Sequence, residues 1–350
     1  MTLSKNAGRA RPGPGEAVSD AQEATEDLVS VIIPARNEER SIGATLDALR
    51  GQDYRNLQII VADGGSTDGT VAVVQRHMAE DPRVELVHNP RQITPVALNV
   101  ATAQARGPWL VRMDAHSMVD AGYVGGAVAR LREGRWGGVG GRKDGGAATP
   151  PGRAIAAALG SRFGVGGSVY HHGIREQEVD HIPFGAYPTE LVRRLGGWDE
   201  RLMTNQDFEF DYRLRRSGAR LLFDPRLRIA WQSKESVRDF YRQYRRYGRG
   251  KVDVALLHPR SLQPRHLGPP LLIAYLVASA AVGVRRPGRA AAMVAPYAVA
   301  LTAASVTTAR TLEDPRARPF VPAAFLAMHI GWGIGVWSRA VELLTRRTTR

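Results

Sequence analysis

Asp114, Ala115 and His116 follow directly on the run Trp109 to Met113, so a carboxylate and an imidazole stand at i and i+2 where a strand should run out into a loop. Such a pair can share a divalent cation of the Mn²⁺ or Mg²⁺ kind, and that kind of cation stabilises a diphosphate leaving group. Taken alone, the triplet is equally the make-up of an ordinary loop. Its meaning depends on which other side chains reach the same place. Polar clusters also occur at Arg36-Asn37-Glu38 and from Asp63 to Asp68.

The elements that would position these clusters read as alternating strands and helices. Asp27 to Ala35 carries Leu28, Val29, Val31, Ile32 and Ile33, a run suited to a strand buried on both faces, and Pro34 ends it. Ile42, Leu46 and Leu49 recur at helical spacing, and Leu57 to Ala62 forms a second strand that breaks at the Gly-rich turn beginning with Asp63. Val71, Val74 and Met78 mark a helix, Val84 to Val87 a strand, Val96 to Ala105 a helix, and Trp109 to Met113 a fourth strand. This alternation predicts an α/β, doubly wound, Rossmann-like sheet with ligands beyond the carboxyl ends of its strands, where every polar cluster named so far falls.

With 350 residues and no cysteine, the chain can bury a full core but can form neither disulfides nor thiolate metal sites. Residues 1–27 are rich in Gly, Pro and Ala, lack the apolar segment of an export signal, and read as a disordered tail. Beyond residue 256 a membrane region is expected. Leu267 to Val284, Ala290 to Ala309 and Phe320 to Trp337 each lack Asp, Glu, Lys and Arg and approach the length of a bilayer span. The net charge of +14 is concentrated beside them: Arg242, Arg245, Arg246, Arg249, Lys251, Arg260 and Arg265 face Asp253 alone. The positive-inside tendency then puts a multi-pass protein in the cell membrane with its preceding domain in the cytosol, although Arg285, Arg286, Arg289 and the Arg-rich end at 346–350 pull against a simple three-span topology.

VSVIIPARNEERSIGATLDAL, IIVADGGSTDGT, the strand-terminal DAH and NQDFEFDYRLRRSG together resemble family 2 glycosyltransferases, and within them the membrane-associated succinoglycan-type glucosyltransferases. The resemblance spans roughly residues 28–255. It implies a GT-A, nucleotide-sugar-binding mixed sheet, a nucleoside diphosphate sugar donor such as a UDP-sugar, Mn²⁺ or Mg²⁺, and inversion at the anomeric carbon. Carried over by position, Pro34, Ala35, Arg36 and Glu38 would hold the nucleoside, Asp63 the base, and Asn99 and Asp114 the sugar or phosphate side. The structural alternatives are a helix start at Glu38, a turn cap at Asp63 and a local amide bond at Asn99. Ala62 stands where many relatives have a second Asp, and His116 where Asp-x-Asp is usual; an imidazole favours Mn²⁺ over Mg²⁺.

The same resemblance makes Asp207 the general base for an acceptor hydroxyl, with Gln206 in place of the common Glu. Asp211, four residues on, reads as a surface partner of Arg215, and Glu209 points elsewhere. Gln243, Arg246 and Tyr247 reproduce the spacing of the family's Gln-x-x-Arg-Trp element beside diphosphate and acceptor, or else belong to an interfacial amphipathic helix with Phe240, Tyr241 and Tyr244. Gly137 to Gly141 and Gly164 to Gly167 complete no phosphate-loop motif and read as flexible acceptor-side loops, while His171, His172 and His181 read as exposed loop histidines. The acceptor expected of such an enzyme is a lipid-linked or other membrane-associated glycan in polysaccharide biosynthesis. Two alternatives stay open: an inactive membrane assembly partner, and a nucleic-acid-binding protein using FYRQYRRYGRGK, against which the apolar segments argue.

Overall fold

The computed structural model describes residues 26–348, with side chains through residue 345. The tail reading therefore lies outside the described residues except at Glu26 and Asp27, whose carboxylates accept from the Arg55 and Asn56 amides and from the Trp109 indole.

β1 (Val29–Ala35), α1 (Ile42–Arg50), β2 (Leu57–Asp63), α2 (Thr70–Glu80), β3 (Val84–His88), α3 (Thr94–Gln104) and β4 (Trp109–Arg112) follow the expected alternation. Their four strands are parallel in the order β3-β2-β1-β4. Strand periodicity sorts their side chains onto two cores. Val31, Ile33, Ile59, Val61 and Val111 pack on one face with Ile42, Leu46 and Leu49 of α1. Ile32, Ile60, Ala62 and Leu110 pack on the other with Leu98 and Ala101 of α3. Burial on both faces is why these runs lack polar alternation.

The second half makes the sheet mixed. β5 (Ser117–Val119), α4 (Tyr123–Arg132), β6 (Gly138–Gly146), α5 (Pro150–Leu159), α6 (Arg162–Val165), β7 (Gln177–Val179), β8 (Ala186–Pro188), α7 (Thr189–Arg194), α8 (Gln206–Arg216) and β9 (Leu221–Gln232) complete it. β8 joins β4 antiparallel, and β6, β9 and β5 continue outward, with β7 also on β9. The stretch Gly137 to Gly141, expected to be a flexible loop, is instead largely the start of β6. A Cβ on Gly141 would stand 2.0 Å from the Leu227 carbonyl oxygen, so these glycines admit close backbone approach.

α9 (Val237–Leu257) starts where the Ser236 hydroxyl accepts the Asp239 amide hydrogen. It is followed by α10 (Pro264–Gly283), α11 (Pro287–Ala309) and α12 (Val321–Thr348), three helices long and apolar enough to cross a membrane. In its apolar stretch α11 is only 6 % buried, against 44 % for α12, so α12 is shared between protein and surroundings. Val321, Ala324, Phe325 and Met328 of α12 join Ile155 and Leu159 of α5 and Phe240 of α9 in one apolar core.

α9 and α12 touch backbone to backbone. A Cβ on Gly248 would lie 2.2 Å from the Trp332 carbonyl oxygen, and one on Gly335 2.2 Å from that of Arg245. Ion pairs Arg249–Glu342 (2.5 Å) and Arg339–Asp253 (2.8 Å) close the same seam. The aromatic side of α9 thus covers α12 rather than a membrane surface: Phe240 is fully buried, and Tyr244 packs on Phe240, Tyr247 and Trp332. Those rings are correspondingly withdrawn from base stacking.

Gly335→Ala is expected to wedge this seam and cost about 1 to 3 kcal/mol, the range for overpacking. Thermal unfolding in detergent measures it, and an unchanged midpoint contradicts the seam's role.

Candidate active site

Arg112 is the last residue of β4, a strand that packs on a core at each face, so its side chain is buried whichever face it takes. It is 5 % exposed. Its guanidinium donates to Asp114 Oδ1 at 3.2 Å and to Asp207 Oδ2 at 3.3 Å. One buried cation therefore joins the carboxylate after β4 to the carboxylate in the first turn of α8, which are far apart in sequence. The pairing with Asp114 follows from i, i+2 spacing; the pairing with Asp207 does not.

Burial pushes the Asp207 carboxyl up, but Arg112, His181 and the Phe208 amide, which donates to Oδ1 at 2.9 Å, outweigh it and hold Asp207 at about 2. Asp207 is thus ionised at neutral pH. Asn205, in the left-handed region at φ 60°, makes the turn into α8, and its amide donates to the Tyr247 carbonyl oxygen at 3.0 Å. That bond fastens the turn before Asp207 to α9. Gln243, itself buried, donates to the Tyr247 hydroxyl at 3.1 Å.

A cavity of about 860 Å³ collects Pro34, Ala35, Arg36 and Glu38 from the first loop, Asp114 and His116 from the β4 end, Asp207, and Gln243, Arg246 and Tyr247 from α9. His116 Nδ1 lies 3.2 Å from Glu38 Oε1. Burial opposes charge on both groups, yet their mutual contact, helped by Ser41 on Glu38 and by Asp114 near His116, leaves Glu38 below and His116 above its ordinary value. Glu38 also accepts the Ser41 hydroxyl at 2.6 Å just before α1, the helix-start contact expected of it, while it lines the cavity.

Two expected binding residues are not brought to the cavity. Asp63 accepts the Gly65 and Ser66 amides on Oδ2 and the Ser66 hydroxyl on Oδ1, which commits it to its own turn while Gly64 lines the cavity. Asn99 exchanges bonds with the Trp198 backbone at 2.9 and 2.8 Å and reaches Glu200, bolting the Gly196-Gly197 turn in position.

Other local expectations need correction. Asp211 is fully buried and pairs with no surface Arg215; it accepts from His181 Nδ1 (2.7 Å), the Ile182 amide (2.9 Å) and the Tyr187 hydroxyl (3.2 Å). Burial raises its carboxyl above the ordinary value even though His181 opposes it. His171, His172 and His181 are half-buried rather than exposed, and His171 and His181 line the cavity. Glu209, as expected, faces away and is held by Arg213 and His258.

Three cations escaped sequence reasoning. Arg112 was hidden inside an otherwise apolar strand, where a charge is itself a signal because it must find partners. Lys143 lies in the Gly-rich β6, with Nζ 3.7 Å from the Trp231 ring centroid; burial pulls it down to about 8, against the opposing charges of Asp114 and Asp207. Lys251 looked like one more basic residue near the membrane segments.

A mixed sheet with acidic groups gathered where its parallel strands end is compatible with a glycosyl transferase, and the sequence matches show that the chain belongs to family 2. Residues 30–178 match the family model Glycosyl transferase family 2, and residues 185–309 match Glycosyl transferase family group 2. The chain is 30 % identical over 342 residues to the succinoglycan biosynthesis protein ExoA of Rhizobium meliloti (strain 1021), covering 94 % of this chain and 99 % of that protein. It is 24 % identical to the pre-mycofactocin glycosyltransferase of Mycobacterium tuberculosis (strain ATCC 25618 / H37Rv), over 90 % of this chain and 63 % of that one. A mannosyltransferase from Pyrobaculum calidifontis, solved with GDP-Man and Mn²⁺, shares the fold with a TM-score of 0.60 and 23 % identity over 87 % of both chains.

Arg112→Met should leave Asp114 and Asp207 without their common cation and destabilise the protein by about 3 to 5 kcal/mol at pH 7. Asp207 is depressed in the fold, so its contribution is complete above about pH 4 and fades as pH falls towards 2. The deficit of the variant in denaturant titrations should therefore shrink in acid; a constant deficit contradicts the pairing.

Proposed function

We propose that this family 2 glycosyltransferase moves a sugar, with inversion, from a nucleoside diphosphate sugar to a lipid-linked glycan acceptor at the cytosolic face of the cell membrane, in polysaccharide biosynthesis. The observation that carries this reading is the Arg112 bridge. It brings the proposed base Asp207 and the proposed diphosphate-side Asp114 to one cleft. The same cleft continues to Pro269, Leu272, Tyr297 and Met328 of the apolar helices. The curated relative named for succinoglycan biosynthesis supports the pathway class.

Asp207 accepts the proton of the acceptor hydroxyl while that oxygen bonds to the anomeric carbon and the bond to the diphosphate breaks on the opposite face. A carboxylate at about 2 is a weak base, but the attacking oxygen becomes strongly acidic once its new bond is partly formed, so late proton transfer needs no stronger one. Arg112 keeps Asp207 ionised and oriented. Lys143, near Asp114, faces the charge that develops on the leaving group.

A divalent cation fits this donor set. Among the described residues no group of three or more His, Asp or Glu could hold a metal by themselves, so Asp114 and His116 would share it with donor oxygens and water. Glu38 at His116 Nδ1 leaves Nε2 available, the arrangement in which a carboxylate orients a ligating imidazole. When bound, Mn²⁺ or Mg²⁺ would supply charge neutralisation for the diphosphate. The basic stretch along α9 to the start of α10 supports the cytosolic orientation.

A screen of nucleoside diphosphate sugars with the purified membrane protein and Mn²⁺ tests the reaction through release of the nucleoside diphosphate. Asp207→Asn should lower kcat by about 10² to 10⁴ while donor binding persists; full activity in this variant removes Asp207 from the chemistry. Chelation or His116→Ala should weaken donor affinity, and indifference to both contradicts the metal assignment. Failure of the wild type with every donor favours an inactive assembly partner.

A further inference from the structure

Lys251 is 3 % exposed, yet it lines the cleft, and among the described residues no hydrogen bond or ion pair engages its ammonium. Its Nζ sits 3.1 Å from the centroid of the Phe208 ring, next in sequence to Asp207. A desolvated cation–π contact contributes about 2 kcal/mol, less than the several kcal/mol that burying an ammonium costs. Leu or Met would fill the space without that cost. The deficit is made up if a ligand brings the missing anion.

The donor diphosphate is a poor candidate for that anion. The charges acting most strongly on Lys143 are Asp114, Asp207 and Arg112, whereas those on Lys251 are Arg265, Asp207 and Asp180. Asp207 is common to both sets, whereas Asp114 belongs only to that of Lys143. Both lysines line the cleft, Lys143 from β6 against the Trp231 ring and Lys251 from α9 against the ring of Phe208, the neighbour of Asp207. On the α10 side, Arg265 is already paired with Asp180, and His266 Nδ1 accepts the Gln263 amide. The same cleft is also walled by Pro269 and Leu272 of α10, Tyr297 of α11 and Met328 of α12.

We propose that Lys251 binds a phosphate group carried by the acceptor, and that the hydrocarbon chain on that phosphate lies among α10, α11 and α12. A cation in a cleft that also has apolar helix walls matches a lipid phosphate, and its place on the ring of Phe208, the neighbour of Asp207, presents the sugar on that phosphate to the base. This inference rests on the glycosyl-transfer reading above.

The test uses the full chain in vesicles with three acceptors bearing one sugar: a polyprenyl diphosphate sugar, an alkyl glycoside of similar chain length without phosphate, and a water-soluble sugar diphosphate. The wild type should prefer the first to each of the others by about 10-fold or more in kcat/KM. In Lys251→Met the preference over the alkyl glycoside should collapse through the acceptor KM, with the donor KM unmoved. Burial and Arg265 pull Lys251 down to about 7 despite Asp207 and Asp180, so the wild-type KM for the phosphate-bearing acceptor should rise as pH passes 7, and the variant should lose that rise. An unchanged preference in the variant, or a raised donor KM, overturns the assignment. Equal use of lipid-borne and soluble diphosphates overturns the lipid half of it. Wild-type transfer with no phosphate preference refutes this inference alone, whereas no transfer to any acceptor refutes the glycosyl-transfer reading itself.

Discussion

The guanidinium of Arg112 is the constraint on which the cleft depends. A buried cation at the end of a parallel strand demands negative charge at short range, because desolvation would otherwise outweigh every packing gain around it. Asp114 answers from the loop two residues on and Asp207 from the first turn of α8. Satisfying that one charge thus fixes the distance between two carboxylates on separate elements. It also keeps Asp207 ionised in a setting where burial alone would favour its neutral form.

The second constraint is mechanical. α9 carries Gln243, Arg246 and Tyr247 into the cleft on one side and lies backbone to backbone against α12 on the other. Gly331 and Gly335, four residues apart, face α9, while Gly333 lets Pro269 of α10 approach from another direction. Small residues at a crossing allow helices to approach closely where no hydrophobic driving force separates protein from lipid. The α9 wall of the cleft and the apolar helices are consequently parts of one packed body, and a cleft can run continuously from the β1 loop to Tyr297 and Met328.

Much of the site was legible because strand ends announce themselves. The runs before Pro34, Asp63 and Asp114 stop at polar turns, and a parallel sheet must present those turns at one edge. Legibility failed where a residue's role depended on a distant partner. Asp63 and Asn99 have side chains that suit a ligand and equally suit their own turns, and local bonds claimed them. Asp211 looked like half of an i, i+4 surface pair, but the helix turns that face inward, where His181 and Tyr187 wait.

Local sequence determined the first four strands, their helices, the three long apolar segments and the family, since each depends on periodicity, turn chemistry or motif within a short window. Tertiary structure alone decided that Arg112 spans Asp114 and Asp207, that Lys143 and Lys251 are buried in the lining of the same cleft, and that the aromatic face of α9 covers α12. Those outcomes turn on which long-range partners satisfy a buried charge or ring. Composition and spacing along the chain carry no record of that, because the partners come together only when the sheet and helices close around them.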